Sequence, residues 1–105
     1  MARTPFGYRQ EGDQWAIDDA QAAVVARIFD EFTRLYAHAG LTEIAVGLNV
    51  DAIQTQHGGQ WYASTVKYIL ANACYVDGER PAIISQEVYD LTQARLAAMQ
   101  MGPTR

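Results

Sequence analysis

The chain has one cysteine, no long apolar run and fewer basic than acidic residues. The lone Cys74 excludes an internal disulfide and any zinc site built from several cysteines of this chain. Standing at the end of a helical pattern, it is expected to pack as a small apolar side chain. No stretch approaches the roughly 18 apolar residues of a membrane span. The opening Met1-Ala2-Arg3-Thr4-Pro5-Phe6 turns polar at once and carries no signal core. A cytoplasmic protein with no membrane contact is the expectation. Eight Lys+Arg against twelve Asp+Glu leave a net charge of −4. That balance argues against a dedicated nucleic-acid-binding domain, which shows a basic footprint. No repeat, low-complexity segment or long linker divides the sequence, so one domain over 1–105 is expected.

Half of the 105 residues are hydrophobic, enough for a real core. Phe6 and Tyr8, then Trp15 and Ile17, alternate on either side of Glu11-Gly12-Asp13, the pattern of a short β-hairpin. Asp18 and Asp19 suit a helix cap and its dipole. From there Val25, Ile28, Phe29, Phe32, Leu35, Tyr36 and Ala39 recur at helical spacing and predict one long helix ended by Gly40. Leu41, Ile44, Ala45 and Leu48 predict a second, shorter helix. Gly47 inside it costs about 1 kcal/mol against alanine, and Asn49 is the expected stop. An irregular run from Val50 to Tyr62 follows. Ser64 or Ala63 is the expected cap of a third helix with Val66, Ile69, Leu70 and Ala73 inward. A turn over Tyr75 to Pro81 leads to a last helix capped by Ser85. Its inner face is Tyr89, Thr92, Leu96 and Met99, and Gly102-Pro103 ends it. The fold class is mainly α with a small N-terminal β-hairpin and about four helices.

No reactive constellation emerges. His38 and His57 stand far apart, with no Cys or carboxylate at ligand spacing, so neither a metal nor a cofactor is expected. Ser64 has no evident base partner. Gly58-Gly59 follows no predicted strand and carries no phosphate-binding pattern. The outward face of the third helix, with Thr65, Lys67, Tyr68, Ala71 and Asn72, has the residue mix that meets bases and phosphates in a major groove. The same mix also makes an ordinary solvated face. The run between helices two and three is too long for a simple helix-turn-helix.

Six phrases in register resemble the recombinase domain of large serine recombinases. Pro5-Phe6-Gly7-Tyr8-Arg9 is similar to that domain's P-x-G-Y opening, and Asp18 with Val24-Val25-x-x-Ile28-Phe29 to its first long helix. Leu41-Thr42-Glu43-Ile44-Ala45-x-x-Leu48-Asn49 resembles its L-x-x-I-A-x-x-L-N helix. Gly58-Gly59-Gln60-Trp61-x-x-Ser64-Thr65-Val66-x-x-Ile69-Leu70-x-Asn72 resembles its G-G-x-W-x-x-S-T-V-x-x-I-L-x-N block. Tyr75 and Gly78 sit near its terminal Y-x-G, and Pro81-x-Ile83-Ile84-Ser85 resembles the phrase that opens its last helix.

The resemblance implies a helix-turn-helix-like domain that grips attachment-site DNA beside the crossover point, associated with the nucleoid. In such recombinases the nucleophilic serine and a zinc ribbon belong to other domains, so this piece is expected to be non-catalytic alone. The implied DNA-binding residues are Arg9, Gln56, His57, Gln60, Tyr62, Ser64, Thr65, Lys67 and Tyr68. Where the family's loop is arginine-rich, this chain has Gln54-Thr55-Gln56-His57-Gly58-Gly59-Gln60, and Lys67 is nearly alone on the third helix. The implied partner, double-stranded DNA, is therefore held weakly. An acidic protein-interaction module that contacts recombinase subunits or accessory proteins is the alternative.

Overall fold

A computed structural model describes residues 4–35 and 39–101. The expectations for Tyr36, His38 and the Gly102-Pro103 stop lie outside the described residues. A two-stranded antiparallel hairpin, β1 (Tyr8–Glu11) and β2 (Gln14–Ile17), precedes four helices. These are α1 (Asp19–Thr33), α2 (Leu41–Val50), α3 (Ala63–Ala71) and α4 (Gln86–Met101), with one 3-10 turn at Ala73–Tyr75. The expected fold class, mainly α with an N-terminal hairpin, is what the chain adopts.

The hairpin pairs Tyr8 with Ile17 and Glu11 with Gln14, which leaves Gly12-Asp13 as the turn. Gly12 has φ +61°, the sign that the primed turns of two-residue hairpins require. Two strands alone are marginal in water, so the hairpin is held by what it touches. The buried Tyr8 hydroxyl donates to the Pro81 carbonyl at 2.7 Å. The Arg80 guanidinium lies 4.3 Å from the centre of the Trp15 ring, a cation–π contact. Burial pushes the Tyr8 hydroxyl up to about 12, so it stays a neutral donor at ordinary pH.

Asp18 caps α1, accepting from the Gln21 amide at 3.0 Å. Val25, Ile28, Phe29 and Phe32 bury the apolar face of that helix, each side chain contributing roughly 1.5–3 kcal/mol. The helix stops at Thr33, short of the expected Ala39. Thr33 bonds back to the Phe29 carbonyl at 2.7 Å, and Arg34 turns extended with ψ 142°. Leu35 consequently leaves the core and is 83% exposed. Gly40 opens α2 instead of ending α1, its amide donating to the Glu43 carboxylate at 2.8 Å.

Ile44, Ala45 and Leu48 of α2 and Val66, Ile69 and Leu70 of α3 complete the core. Ala73, expected inward, is exposed. Asn72 turns extended after α3 and accepts from the Cys74 amide, so Cys74 and Tyr75 take the buried places. Burial raises the Cys74 thiol to about 11, which leaves it protonated and unreactive. Ser85 caps α4 through the Val88 amide. The inner side of α4 is Thr92 and Leu96, with Tyr89 partly buried against the core as expected, while Met99, also expected inward, is 48% exposed. Two α4 side chains satisfy orphan carbonyls at other helix ends. Gln93 donates to Leu70 at 2.7 Å and Arg95 to Phe32 at 2.8 Å. None of the described helices is long and apolar enough to cross a membrane.

Gly7 explains the glycine of the Pro-x-Gly-Tyr phrase. Its φ is +108°, and a Cβ there would meet Ile83 Cδ1 at 2.9 Å, Val25 Cγ2 at 3.3 Å and Tyr75 Cε1 at 3.4 Å. Its amide donates to Gln21 and its carbonyl accepts from Asp18, so the backbone has little room to move. Gly7→Ala is expected to destabilise the fold by about 1–3 kcal/mol through strain at this φ. In a urea titration the midpoint should fall with an unchanged slope; an unchanged midpoint would contradict the packing described.

Candidate nucleic-acid interface

The segment joining α2 to α3 is long, yet each part of it is fastened. Ala52, at φ 59°, carries the chain out of α2, and the Ile53 amide donates to the Leu48 carbonyl at 3.0 Å. Thr55 closes a tight turn. Its carbonyl accepts from the Gly58 amide at 3.0 Å and its hydroxyl from the Gly59 amide at 2.9 Å. Gly58 has φ +83°, a conformation that glycine adopts without steric cost. Gln56 and His57 sit exposed on this turn, and the Gln56 amide donates to the Thr4 carbonyl at 2.7 Å.

Asn49 anchors the far end. Its Oδ1 accepts from the Trp61 amide at 2.8 Å, and its Nδ2 donates to the Trp61 carbonyl at 3.0 Å. The indole Nε1 of Trp61 donates to the Ile53 carbonyl at 3.0 Å, and the Phe6 ring meets the indole edge-on at 5.4 Å. Trp61 is only 2% exposed. Tyr62 then serves as the N-cap position of α3, without any side-chain cap bond. Ser64, expected at the cap, lies one position inside the helix and is exposed.

The outcome is a groove of about 530 Å³ between Thr4–Phe6, the loop and the first turns of α3. Gln56, His57, Gln60, Tyr62, Thr65 and Tyr68 line it, six of the nine residues singled out in the sequence. Tyr62 and Tyr68 are 62% and 70% exposed; large aromatic surfaces left in water suit a contact face. Ser64 and Lys67 are exposed on α3 but outside the groove lining. Arg9 stands apart on β1, held by the Glu11 carboxylate at 2.7 Å and the Ile17 carbonyl at 3.1 Å. Its guanidinium pKa is raised, first by the hydrogen bond to Glu11. Sequence reasoning missed Thr4 and Thr55 as lining groups and Asn49 as the anchor, while Asn72, read on the outward face of the third helix, does line the groove. Periodicity gives no signal for a bond between a helix end and a distant loop.

Charge is distributed unevenly along the chain. From Ala52 through Val76 there is no Asp or Glu, and Lys67 is the single Lys or Arg. Among the described residues, the cations elsewhere are engaged. Arg27 bridges Glu31 and Asp51, each at 2.7 Å, Arg34 pairs with Asp30 at 2.9 Å, and Arg80 lies 3.7 Å from both Asp77 and Glu79. Lys67 makes no ion pair among the described residues. The net negative charge of the chain therefore resides outside the segment that builds the groove.

These features sit in a known frame. The family model described as Recombinase matches residues 19–99, from the start of α1 into the last turns of α4. The chain belongs to the recombinase family, and the resemblance to the recombinase domain of serine recombinases is borne out. A role connected with DNA recombination follows at that level. No curated protein and no solved structure matches the chain.

The Asn49–Trp61 anchor carries a measurable consequence. Asn49→Ala removes both bonds and leaves the Trp61 peptide groups without those partners, at a cost of about 1–3 kcal/mol for each group that stays unsatisfied. Chemical denaturation should show a loss of about 2 kcal/mol or more. Tyr68→Ala, on the exposed side, should stay within about 0.5 kcal/mol of the parent. Equal effects from the two substitutions would contradict the anchor.

Proposed function

We propose that this chain is the DNA-gripping domain of a large serine site-specific recombinase. It holds attachment-site duplex beside the crossover point, in the cytoplasm with the nucleoid. On this reading the strand chemistry is done by a serine in another domain of the recombinase, and residues 1–105 act as one non-catalytic unit with no cofactor. The observation that carries the reading is the carboxylate-free stretch from Ala52 through Val76, folded into one groove and helix face in an otherwise acidic recombinase-family chain. A phosphate backbone is repelled by carboxylates and attracted by Lys67. Ser64, Thr65 and Lys67 border a major groove of the duplex. Gln56, His57, Gln60, Tyr62 and Tyr68 meet backbone or base edges. Arg9 reaches a phosphate only by giving up Glu11, so its contribution is small.

With one unpaired lysine on the face, the grip is weak and its salt dependence shallow, about 0.9 in the slope per phosphate neutralised. Exposed Val46 and Val50, one turn apart on α2, favour a second role in contact with another recombinase subunit. Titration against duplex DNA at low and higher salt separates the two. Binding should weaken as salt rises. Lys67→Ala should weaken it for every sequence and lower the slope by about 0.9. Unchanged affinity in that variant would remove α3 from the DNA surface and bring the subunit-contact role forward.

A further inference from the structure

The groove's donors and acceptors match some base pairs and not others. In the major groove, guanine is read by Arg or Lys on O6 and N7, and cytosine by a carboxylate accepting from N4. From Ala52 through Val76 there is no arginine and no carboxylate, and Lys67 lies outside the groove lining. Adenine is read by a Gln or Asn amide, which donates to N7 and accepts from N6. The thymine methyl is read by apolar contact. The groove does hold amides, Gln56, Gln60 and Asn72, beside His57, Thr65, Tyr62 and Tyr68.

The three amides are not equivalent. Asn72 Oδ1 accepts from the Cys74 amide at 3.0 Å, which commits that side chain to the turn after α3. Gln56 Nε2 gives one of its two N–H groups to the Thr4 carbonyl at 2.7 Å, which ties that side chain to the N-terminal segment. Gln60 is exposed, lines the groove and precedes the anchored Trp61. Its backbone is thus held from one side while its amide stays available in water. A fixed backbone lowers the ordering cost that a flexible loop would meet on binding.

We infer that this face selects adenine–thymine pairs through the major groove, with the Gln60 amide as the adenine reader and Thr65 and the two tyrosines against thymine methyls. The inference rests on the proposed DNA grip and adds a base preference to it. Phosphate attraction by Lys67 is blind to sequence; discrimination comes from Gln60.

The test is fluorescence anisotropy with the whole chain at one low salt concentration, comparing alternating dA·dT and dG·dC duplexes of equal length. A preference of about tenfold for dA·dT is expected from one bidentate amide–adenine pair. Replacing adenine by 7-deazaadenine deletes N7 from the major groove and leaves the minor groove unchanged, so it should abolish the preference. Gln60→Ala should do the same while residual binding to both duplexes remains. Gln60 makes no hydrogen bond that the fold needs, and an unshifted thermal melt verifies that the variant is folded. Equal affinity for the two duplexes overturns the base preference and leaves the DNA grip standing. A preference that survives 7-deazaadenine overturns the major-groove reading in favour of minor-groove width. Absence of binding to either duplex overturns both the preference and the grip beneath it.

Discussion

The bond pair between the Asn49 side chain and the Trp61 peptide is the constraint on which the rest of this structure depends. An amide that accepts from an N–H and donates to the same residue's carbonyl copies the pairing of neighbouring strands, here made by a single side chain at 2.8 and 3.0 Å. It fixes the end of a long irregular segment and seats the Trp61 indole in the core, where the Ile53 carbonyl and the Phe6 ring complete its surroundings. An indole buried without a partner for its N–H is unfavourable, and this site provides one. Once Trp61 is placed, α3 starts at a defined point and the Thr55 turn faces the N-terminal segment. The groove is the space left between them.

A second constraint is electrostatic. The chain is acidic as a whole, yet its carboxylates fall on the hairpin, α1, the ends of α2, the 77–79 turn and the start of α4. Many of them face an arginine: Glu11 with Arg9, Glu31 and Asp51 with Arg27, Asp30 with Arg34. The exposed pairs among them add little stability, about 0–1 kcal/mol each, but all of them reduce the negative charge a polyanion would meet. Net charge thus misleads as a guide to partners when charge is segregated along the chain. At about 0.1 M salt the screening length is about 10 Å, so the charges nearest the groove decide what approaches it.

Much of the fold was legible because its signals are local and periodic. The hairpin followed from alternation around Glu11-Gly12-Asp13, and the buried faces of α1, α2 and α3 from helical spacing. Three of the local expectations that failed did so for physical reasons that spacing does not carry. Leu35 is apolar and in phase with Phe32, but Thr33 bonds back into its own helix and Arg34 turns extended, so phase is lost. Gly40 was read as an end and is a beginning, since its amide is what Glu43 accepts from. Ala73 gave way to Cys74 because Asn72 ends α3 early and caps a 3-10 turn. The site was legible in outline through the Gly-Gly-x-Trp block. Asn49 stood in that reading as a helix stop and the last residue of the second-helix phrase, and its partner twelve residues on carries no periodic signature.

On the proposed function, the Thr55 turn and the exposed side of α3 form the surface that meets duplex DNA. Backbone amide chemical shifts of the isotope-labelled chain, recorded as duplex is added at low salt, test it most directly. The largest changes are expected within residues 55–68, with Gln60 and Lys67 among them and the α2 surface around Val46 and Val50 unmoved. Changes concentrated on that α2 surface, with the 55–68 amides silent, would contradict it.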